Sequence, residues 1–136
     1  MKHVGLAAAL AGGILCASVP GAHAENRTEA VSLKSSGHDA RTLKGSPRGY
    51  DGAAYTFAAP AGRLLHVLFS PKNRFCFFNV LAPGRDEALF NGSIKGNEFG
   101  GRLPAAGTYT VQVYLMRNAA RRNETCRYSL SLEMND

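Results

Sequence analysis

The sequence lacks the residue patterns that enzymes and metal sites need. No serine lies in a Gly-x-Ser-x-Gly turn, and Gly96, Gly100 and Gly101 do not lead from a strand into a helix, so neither a nucleophile elbow nor a phosphate-binding loop is present. No histidine lies at zinc-ligand spacing from Cys76 or Cys126. The acidic residues fall in turn-like contexts, so no carboxylate pair suits glycoside hydrolysis. We therefore predict no catalytic residue, no metal and no cofactor: the protein is not an enzyme.

Histidine is scarce, and neither histidine beyond the N-terminal segment suggests a general base. His38 lies next to Asp39 in a polar segment, but the partners of a catalytic triad are normally distant in sequence. His66 lies inside an apolar run, where a hydrogen-bonded strand residue is the better interpretation.

Long helical periodicity, internal repeats and low-complexity tracts are also missing from residues 25–136. Short runs with an apolar residue at every second position alternate instead with Gly, Pro and Asn. The predicted strands lie at residues 31–34, 55–58, 64–69, 75–81, 88–94, 99–103, 109–115 and 128–134, and the polar residues 25–30 are expected to be frayed. This pattern predicts an all-β fold, an antiparallel sandwich or barrel of about seven to nine short strands.

The N-terminus has the pattern of a secretory signal peptide. Lys2 and His3 precede an almost wholly apolar run at residues 4–17, and Ala22-His23-Ala24 places small residues at positions −3 and −1 of a cleavage site. We predict that residues 1–24 are a signal peptide cleaved after Ala24, that 25–136 form a single domain, and that the protein is periplasmic.

Two alternatives to cleavage are a membrane anchor and a lipid anchor. The apolar run is too short to span about 30 Å of hydrocarbon comfortably, and no second run of sufficient length follows. Leu15 is bulkier than the small residue that usually precedes a lipid-bearing cysteine such as Cys16.

Acidic residues are outnumbered by basic ones. Removal of residues 1–24 takes away Lys2 and leaves 15 Lys/Arg against 10 Asp/Glu, a net charge of +5. This excess favours anionic partners, namely a carboxylate-lined cleft, nucleic acid, or an anionic glycan or lipid surface. The charge alone does not choose among them.

Two cysteines remain after cleavage, Cys76 and Cys126. An even number in a small exported domain predicts one disulfide, and two free buried thiols are the alternative. Cys126 shares its strand side with Tyr128 and Leu130, so it should face the core. We predict a Cys76–Cys126 bond.

Residues 116–123 form a connection that is too long for a tight hairpin and contains neither Gly nor Pro. Its alanines and arginines favour one short helical turn. That turn places Arg117 and Arg121 on the same side, whereas Arg122 points away. Solvated arginines without a partner are the alternative interpretation.

Two tyrosines are also candidates for a binding surface. Tyr50 lies in the turn Gly49-Tyr50-Asp51-Gly52, which holds its ring outward, and Tyr114 lies on the more polar side of its strand. Tyr and Arg are enriched at the centres of protein interfaces. Partial burial at a strand edge is the alternative.

Several of these segments resemble the bacterial periplasmic inhibitors of goose-type (g-type) lysozyme. The matching segments are residues 45–57, 61–67, 103–111, 116–124 and 128–132, of which the Arg-Asn-x-Ala-Arg turn is the most specific. The resemblance implies a compact antiparallel β-sandwich that blocks a lysozyme.

The resemblance also implies the site and the partner. Arg117 and Arg121, with Tyr50 nearby, are implied to face the lysozyme, and Asn118 and Tyr114 complete the predicted partner-binding set. The predicted partner is a g-type lysozyme. The alternative is a secreted module that binds an anionic envelope polymer such as peptidoglycan. We expect no nucleic-acid partner, no membrane span, and a monomer or weak dimer.

The sequence departs from the enterobacterial inhibitors in two places. They have Lys where this chain has Cys126, and residues 75–97 have no clear match. These departures place the chain in this family or in a close sister branch.

Overall fold

The computed structural model describes residues 26–136, so the predicted signal peptide, its cleavage site after Ala24 and Cys16 lie outside the described residues. Within that range nine strands and two short helical segments follow one another. They are β1 (Asn26–Ala30), β2 (Asp39–Gly45), β3 (Gly52–Ala59), β4 (Leu64–Pro71), β5 (Cys76–Leu81), β6 (Ala88–Asn91), α1 (Gly92–Lys95), β7 (Glu98–Arg102), β8 (Gly107–Leu115), α2 (Arg117–Arg121) and β9 (Tyr128–Asn135).

The strands form two sheets of a β-sandwich, which confirms the predicted fold class. The first sheet has the order β1-β3-β8-β5-β6, and the second has the order β2-β9-β4-β7. Every named pair is antiparallel except β1 and β3, which run parallel. Strands β1 and β2 are edge strands, each paired along one side only.

The core lies between the sheets and follows from the alternation of apolar and polar residues. In β8, for example, Tyr109, Val111 and Val113 are buried, whereas Gln112 is exposed and Tyr114 is half-buried. Successive side chains of a strand point to opposite sides, so one side of each sheet can be apolar. Aromatic residues fill much of the core volume.

The sequence prediction was wrong at two of the edge strands, β1 and β2. Residues 26–30 form a strand on β3 instead of being frayed, and the polar segment 39–45, in which no strand was predicted, pairs with β9. Val31 and Leu33 were predicted to be strand residues, but they lie in the connection between β1 and β2 and pack half-buried against the core. Strands β1 and β2 are mostly exposed on both sides, so only the pairing partner reveals them.

The strand predicted at residues 88–94 is shorter than expected, because α1, a helical segment that the sequence did not predict, follows it directly. The strand ends at Asn91, whose Oδ1 accepts from Ser93 N at 3.0 Å and caps α1. A Cβ atom on Gly92 would collide with the carbonyl oxygen of Phe78 in β5. The close approach of the two backbones therefore requires glycine at position 92.

The predicted disulfide is confirmed. Cys76 and Cys126 are buried and bonded, with their Cα atoms 5.9 Å apart. The bond fastens the segment after α2 to the start of β5. No helix in residues 26–136 is both long and apolar enough to cross a membrane.

Candidate partner-binding site

Helix α2 carries three of the predicted site residues on its outer side. Ala119 and Ala120 are buried against the core, whereas Arg117, Asn118 and Arg121 are exposed. Because alanine has no side chain beyond Cβ, the helix lies close to the end of the sandwich and its longer side chains project outward. The predicted helical turn is therefore confirmed, with two arginines four residues apart on its exposed side.

The arginines of this segment differ in their partners. Arg122 donates from Nε to Glu124 Oε2 at 2.7 Å, and its guanidinium lies 5.7 Å from the centre of the Phe75 ring. In the part of the chain that the structure describes, the guanidinium groups of Arg117 and Arg121 make no hydrogen bond or ion pair. Arg122 is thus held within the fold, while the other two charges face solvent without compensation.

Tyr50 stands at the same end of the molecule because its loop is bonded to the segment that follows α2. Gly49 N donates to Glu124 O at 2.8 Å, and Cys126 N donates to Pro47 O at 2.9 Å. Tyr50 itself is 57% exposed, in keeping with its position in a turn.

Two residues with left-handed backbone conformation form the junction between this loop and α2. Gly49 has φ 64° and Asn123 has φ 59°. A Cβ atom on Gly49 would lie 2.7 Å from the Asn123 side-chain amide. Arg48 Nε donates to the backbone carbonyl oxygen of Asn123 at 3.3 Å. When the side-chain amide of Asn123 is oriented with its oxygen towards Arg48, that oxygen also accepts from Nε at 3.2 Å and from Nη2 at 3.1 Å. Glycine at position 49 therefore permits the close approach that positions Tyr50.

Glu124 joins a third loop to this surface. Its Oε1 accepts from Asn73 Nδ2 at 2.9 Å, and its Oε2 accepts from Arg122. The hydrogen bond from Asn73, followed by the bond and charge of Arg122, holds the pKa of the Glu124 carboxyl below its usual value. Loops 45–51, 72–75 and 116–126 consequently form one continuous surface.

This surface is strongly basic. We use the name basic end for its seven exposed cations, which are Arg48, Lys72, Arg74, Arg117, Arg121, Arg122 and Arg127. They make up seven of the 16 Lys/Arg of the whole sequence. Such a concentration produces a positive potential that favours an anionic partner.

Comparison with known proteins finds a relative with a named function. The chain is 33% identical over 101 residues to an inhibitor of g-type lysozyme from Escherichia coli (strain K12), a match that covers 72% of this chain and 74% of that protein. No family model matches the chain.

The chain belongs to the family of inhibitors of g-type lysozyme.

Two solved structures of this inhibitor family have the same fold. The periplasmic inhibitor PliG of Aeromonas hydrophila is 36% identical, has a TM-score of 0.73, and is matched along its whole length by 83% of this chain. PliG of Salmonella Typhimurium is 26% identical, has a TM-score of 0.61, and is matched over 98% of its length by 79% of this chain.

Tyr114 lies in β8, the strand that directly precedes α2. It lies half-buried on the outer side of the first sheet, where its hydroxyl donates to Asn79 Oδ1 at 2.9 Å. Its ring centre lies 6.4 Å from that of Phe77. Among residues 26–136, no hydrogen bond or ring contact joins Tyr114 to α2 or to Tyr50.

Several residues that build the site carried no signal in the sequence. Arg48, Asn73, Phe75, Asn123 and Glu124 come together only through the tertiary fold, since they lie in three separate loops. Asn123 is the partial exception, because Asn directly after a helical segment often adopts the left-handed conformation that it has here.

His38 and His66 lie away from the basic end. His66 Nε2 is 2.6 Å from Glu98 Oε2, and His38 Nε2 is 3.0 Å from Glu133 Oε2. His66 is thus a hydrogen-bonded strand residue, as predicted. In residues 26–136 no group of three or more His, Cys, Asp or Glu side chains is arranged to hold a metal ion.

Proposed function

We propose that this chain is a periplasmic, non-catalytic protein inhibitor of g-type lysozyme. In this proposal Arg117, Asn118, Arg121 and Tyr50 bind the active-site cleft of the enzyme, and Tyr114 is a secondary candidate. The observation that supports it most is the uncompensated pair of arginines on the exposed side of α2, next to an exposed tyrosine. The named function of the relatives points to the same partner.

The chemistry of a lysozyme explains why arginine suits this role. A lysozyme cleft contains a catalytic carboxyl group whose protonation is tuned for acid catalysis. A guanidinium placed against that group stabilises its ionised form and occupies space that a sugar would fill. Arginine can hold a carboxylate through two parallel bonds and stays charged when water is excluded, whereas lysine offers only a point charge.

The proposed location depends on export. Residues 1–24 serve as the signal peptide in this proposal, and residues 25–136 form the mature inhibitor. A periplasmic inhibitor is placed where a lysozyme that has passed the outer membrane would reach its peptidoglycan substrate.

A lysis assay tests the proposal. Purified mature protein is added in increasing amounts to a g-type lysozyme acting on a suspension of bacterial cell walls, and the fall in turbidity is followed. We expect the lysis rate to drop to near zero at stoichiometric excess. An undiminished rate at large excess would show that the chain does not inhibit this enzyme.

The basic end also supports a second candidate function, binding of an anionic envelope polymer such as peptidoglycan. Seven clustered cations would neutralise several polymer charges at once, and such binding weakens steeply as salt screens the charges. A shape-complementary inhibitor should lose much less affinity over the same salt range. Cosedimentation with purified cell walls, compared with lysozyme inhibition at low and high salt, separates the two functions.

A further inference from the structure

A cleft of about 600 Å³ lies at the open side of the sandwich, next to the edge strands β1 and β2. Asn26, Arg27 and Glu29 line it from β1, and Lys44 and Gly45 line it from β2. Both strands are paired along one side only, so unpaired backbone N–H and C=O groups flank the opening. A cleft between two free strand edges offers an extended peptide the hydrogen bonds that a neighbouring strand would give.

The floor of the cleft is a pair of tyrosine hydroxyls. Tyr55 and Tyr128 are more than nine-tenths buried, and their hydroxyl oxygens are 2.5 Å apart. This bond uses one of the two hydroxyl hydrogens. Among residues 26–136 no group accepts the other, although both tyrosines line the cleft. Because a buried donor without an acceptor costs free energy, an acceptor oxygen in the cleft, from a ligand or from water, would stabilise this pair of hydroxyls.

The backbone at Gly45, the last residue of β2, lies directly against the Tyr128 side chain. A Cβ atom on Gly45 would lie 2.5 Å from the hydroxyl oxygen of Tyr128. The absence of a side chain at this position therefore lets the buried hydroxyl sit where β2 ends and the cleft begins.

The wall formed by β1 carries two opposite charges where a sandwich normally has apolar residues. Arg27 pairs with Ala53 and Glu29 pairs with Tyr55, so both side chains are on the same side of the sheet as the buried Tyr55. Two residues along a strand separate them by about 6.5 Å. Neither makes an ion pair or side-chain hydrogen bond within residues 26–136.

The electrostatics place both charges near the floor. Burial, followed by the hydrogen bond that the Tyr128 hydroxyl shares with Tyr55, raises the pKa of Tyr128 well above its usual value, while Arg27 opposes this shift and Glu29 adds to it. One basic and one acidic group thus act on the same buried hydroxyl. Inward-pointing charges on an edge strand can also simply discourage aggregation, which would need neither the tyrosine floor nor the glycine at position 45.

We propose that this cleft binds a short extended peptide with free termini. Its carboxylate would accept from Arg27 and the tyrosine floor, its ammonium group would donate to Glu29, and its backbone would pair with a free strand edge. The cleft shares Arg48 with the basic end but does not include the arginines of α2, and peptide binding there does not depend on lysozyme inhibition.

Three dipeptides that differ only in charge test the proposal. Glycylglycine has both charges, N-acetylglycylglycine lacks the ammonium group, and glycylglycinamide lacks the carboxylate. Each is titrated to about 20 mM into the isotope-labelled mature protein, and backbone amide shifts are followed by NMR, since few polar contacts give millimolar affinity. We expect saturable shifts confined to residues 26–29, 44–48 and 51–55, and at least threefold weaker binding of each blocked peptide.

Charge-removing variants connect the effect to the wall residues. Arg27→Gln should bind glycylglycine and glycylglycinamide equally, and Glu29→Gln should bind glycylglycine and its N-acetyl form equally. Tyr128→Phe should weaken the binding of glycylglycine, whereas the matched control Arg85→Gln, on a distant turn, should leave that binding unchanged. Absence of saturable shifts, shifts centred outside the cleft, or unchanged charge preference in both Gln variants would overturn the proposal.

Discussion

Individual cations in this molecule fall into two groups according to whether the fold neutralises them. Arg63 is buried, and its guanidinium donates to Asp136 Oδ1 at 2.6 Å and to the carbonyl oxygens of Lys34 and Gly37. It is a structural residue that holds the connection before β2 to the C-terminus. Arg117 and Arg121 have no such partners in residues 26–136, so their charges are available to another molecule.

Replacing either free arginine should therefore affect binding without affecting stability. We predict that Arg117→Ala and Arg121→Ala each weaken inhibition of a g-type lysozyme at least tenfold, because truncating an interface anchor typically costs about 2 kcal/mol or more. The melting temperature should stay nearly unchanged, since a solvated arginine contributes well under about 1 kcal/mol. Inhibition constants from the lysis assay and thermal unfolding curves measure the two effects.

Arg85 provides the matched control for these variants. It is an exposed arginine in the turn after β5, at the other end of that strand from the disulfide. Arg85→Ala removes the same charge and should leave inhibition unchanged. An equal loss of inhibition in all three variants would assign the effect to net charge and not to the α2 site.

Gly49 is a second position where one residue controls the site. Its φ of 64° is strained for any residue with a side chain, and a Cβ atom there would crowd the Asn123 amide. We predict that Gly49→Ala lowers the free energy of unfolding by about 1 kcal/mol or more and also weakens inhibition, because the loop that carries Tyr50 moves away from α2. Urea unfolding and the lysis assay measure the two losses. Weakened stability with full inhibition would show that Tyr50 is not part of the interface.

At the scale of elements, the strands with an alternating apolar pattern could be predicted from the sequence, and the edge strands β1 and β2 could not. Alternation placed β8 and β9 correctly because their inward residues are apolar and their outward residues are not. Strand β1 is exposed at every position, and β2 is mostly exposed, so neither carries a periodic signal. Their strand conformation depends on backbone pairing with β3 and β9, which the sequence does not display.

In the candidate site, too, one part could be predicted from the sequence and another could not. Helix α2 was predictable because Ala and Arg favour a helical turn. In such a turn Arg117 and Arg121, four residues apart, lie on the same side. The contacts that support it were not predictable, since Glu124 and Asn123, which directly follow α2, are bonded to Asn73 and Arg48 from loops that are distant in sequence. Local propensity therefore finds the residues that project, while tertiary contacts determine how firmly they are held.

The contacts of Glu124 make the attachment of the segment after α2 dependent on pH. Its pKa is lowered in the folded protein, so its contribution to stability is present above the unfolded value of about 4.5 and is lost as the pH falls through the folded value. We predict that wild type is more stable than Glu124→Gln at pH 7 and that the difference shrinks as the pH falls below about 4.5. Urea unfolding of both proteins across this range measures it. A difference that is constant with pH would show that the charge of Glu124 is not involved.

At the scale of the whole molecule, the disulfide closes a large loop. Cys76 and Cys126 are 50 residues apart, for which the chain-entropy model gives about 4 kcal/mol of stabilisation. We predict that a Cys76→Ala/Cys126→Ala variant unfolds at much lower urea concentration and inhibits more weakly, because the segment after α2 loses its attachment to β5. An unfolding midpoint equal to that of wild type would contradict this role.

In the proposed function, export places the whole molecule in the periplasm. The small residues Ala22 and Ala24 predict that the periplasmic protein begins at Glu25. Intact-mass spectrometry of protein recovered from the periplasm measures the N-terminus directly. Acylation at Cys16 would contradict the prediction and place the protein on a membrane.

The most direct test of the proposed function is calorimetric titration of a g-type lysozyme with wild type, with the Arg117→Ala/Arg121→Ala double variant and with Arg85→Ala. We expect saturable binding of wild type and Arg85→Ala with equal dissociation constants, and binding of the double variant that is at least tenfold weaker. Equal binding by all three proteins would show that α2 is not the site. No binding by wild type would show that this chain does not act on that lysozyme.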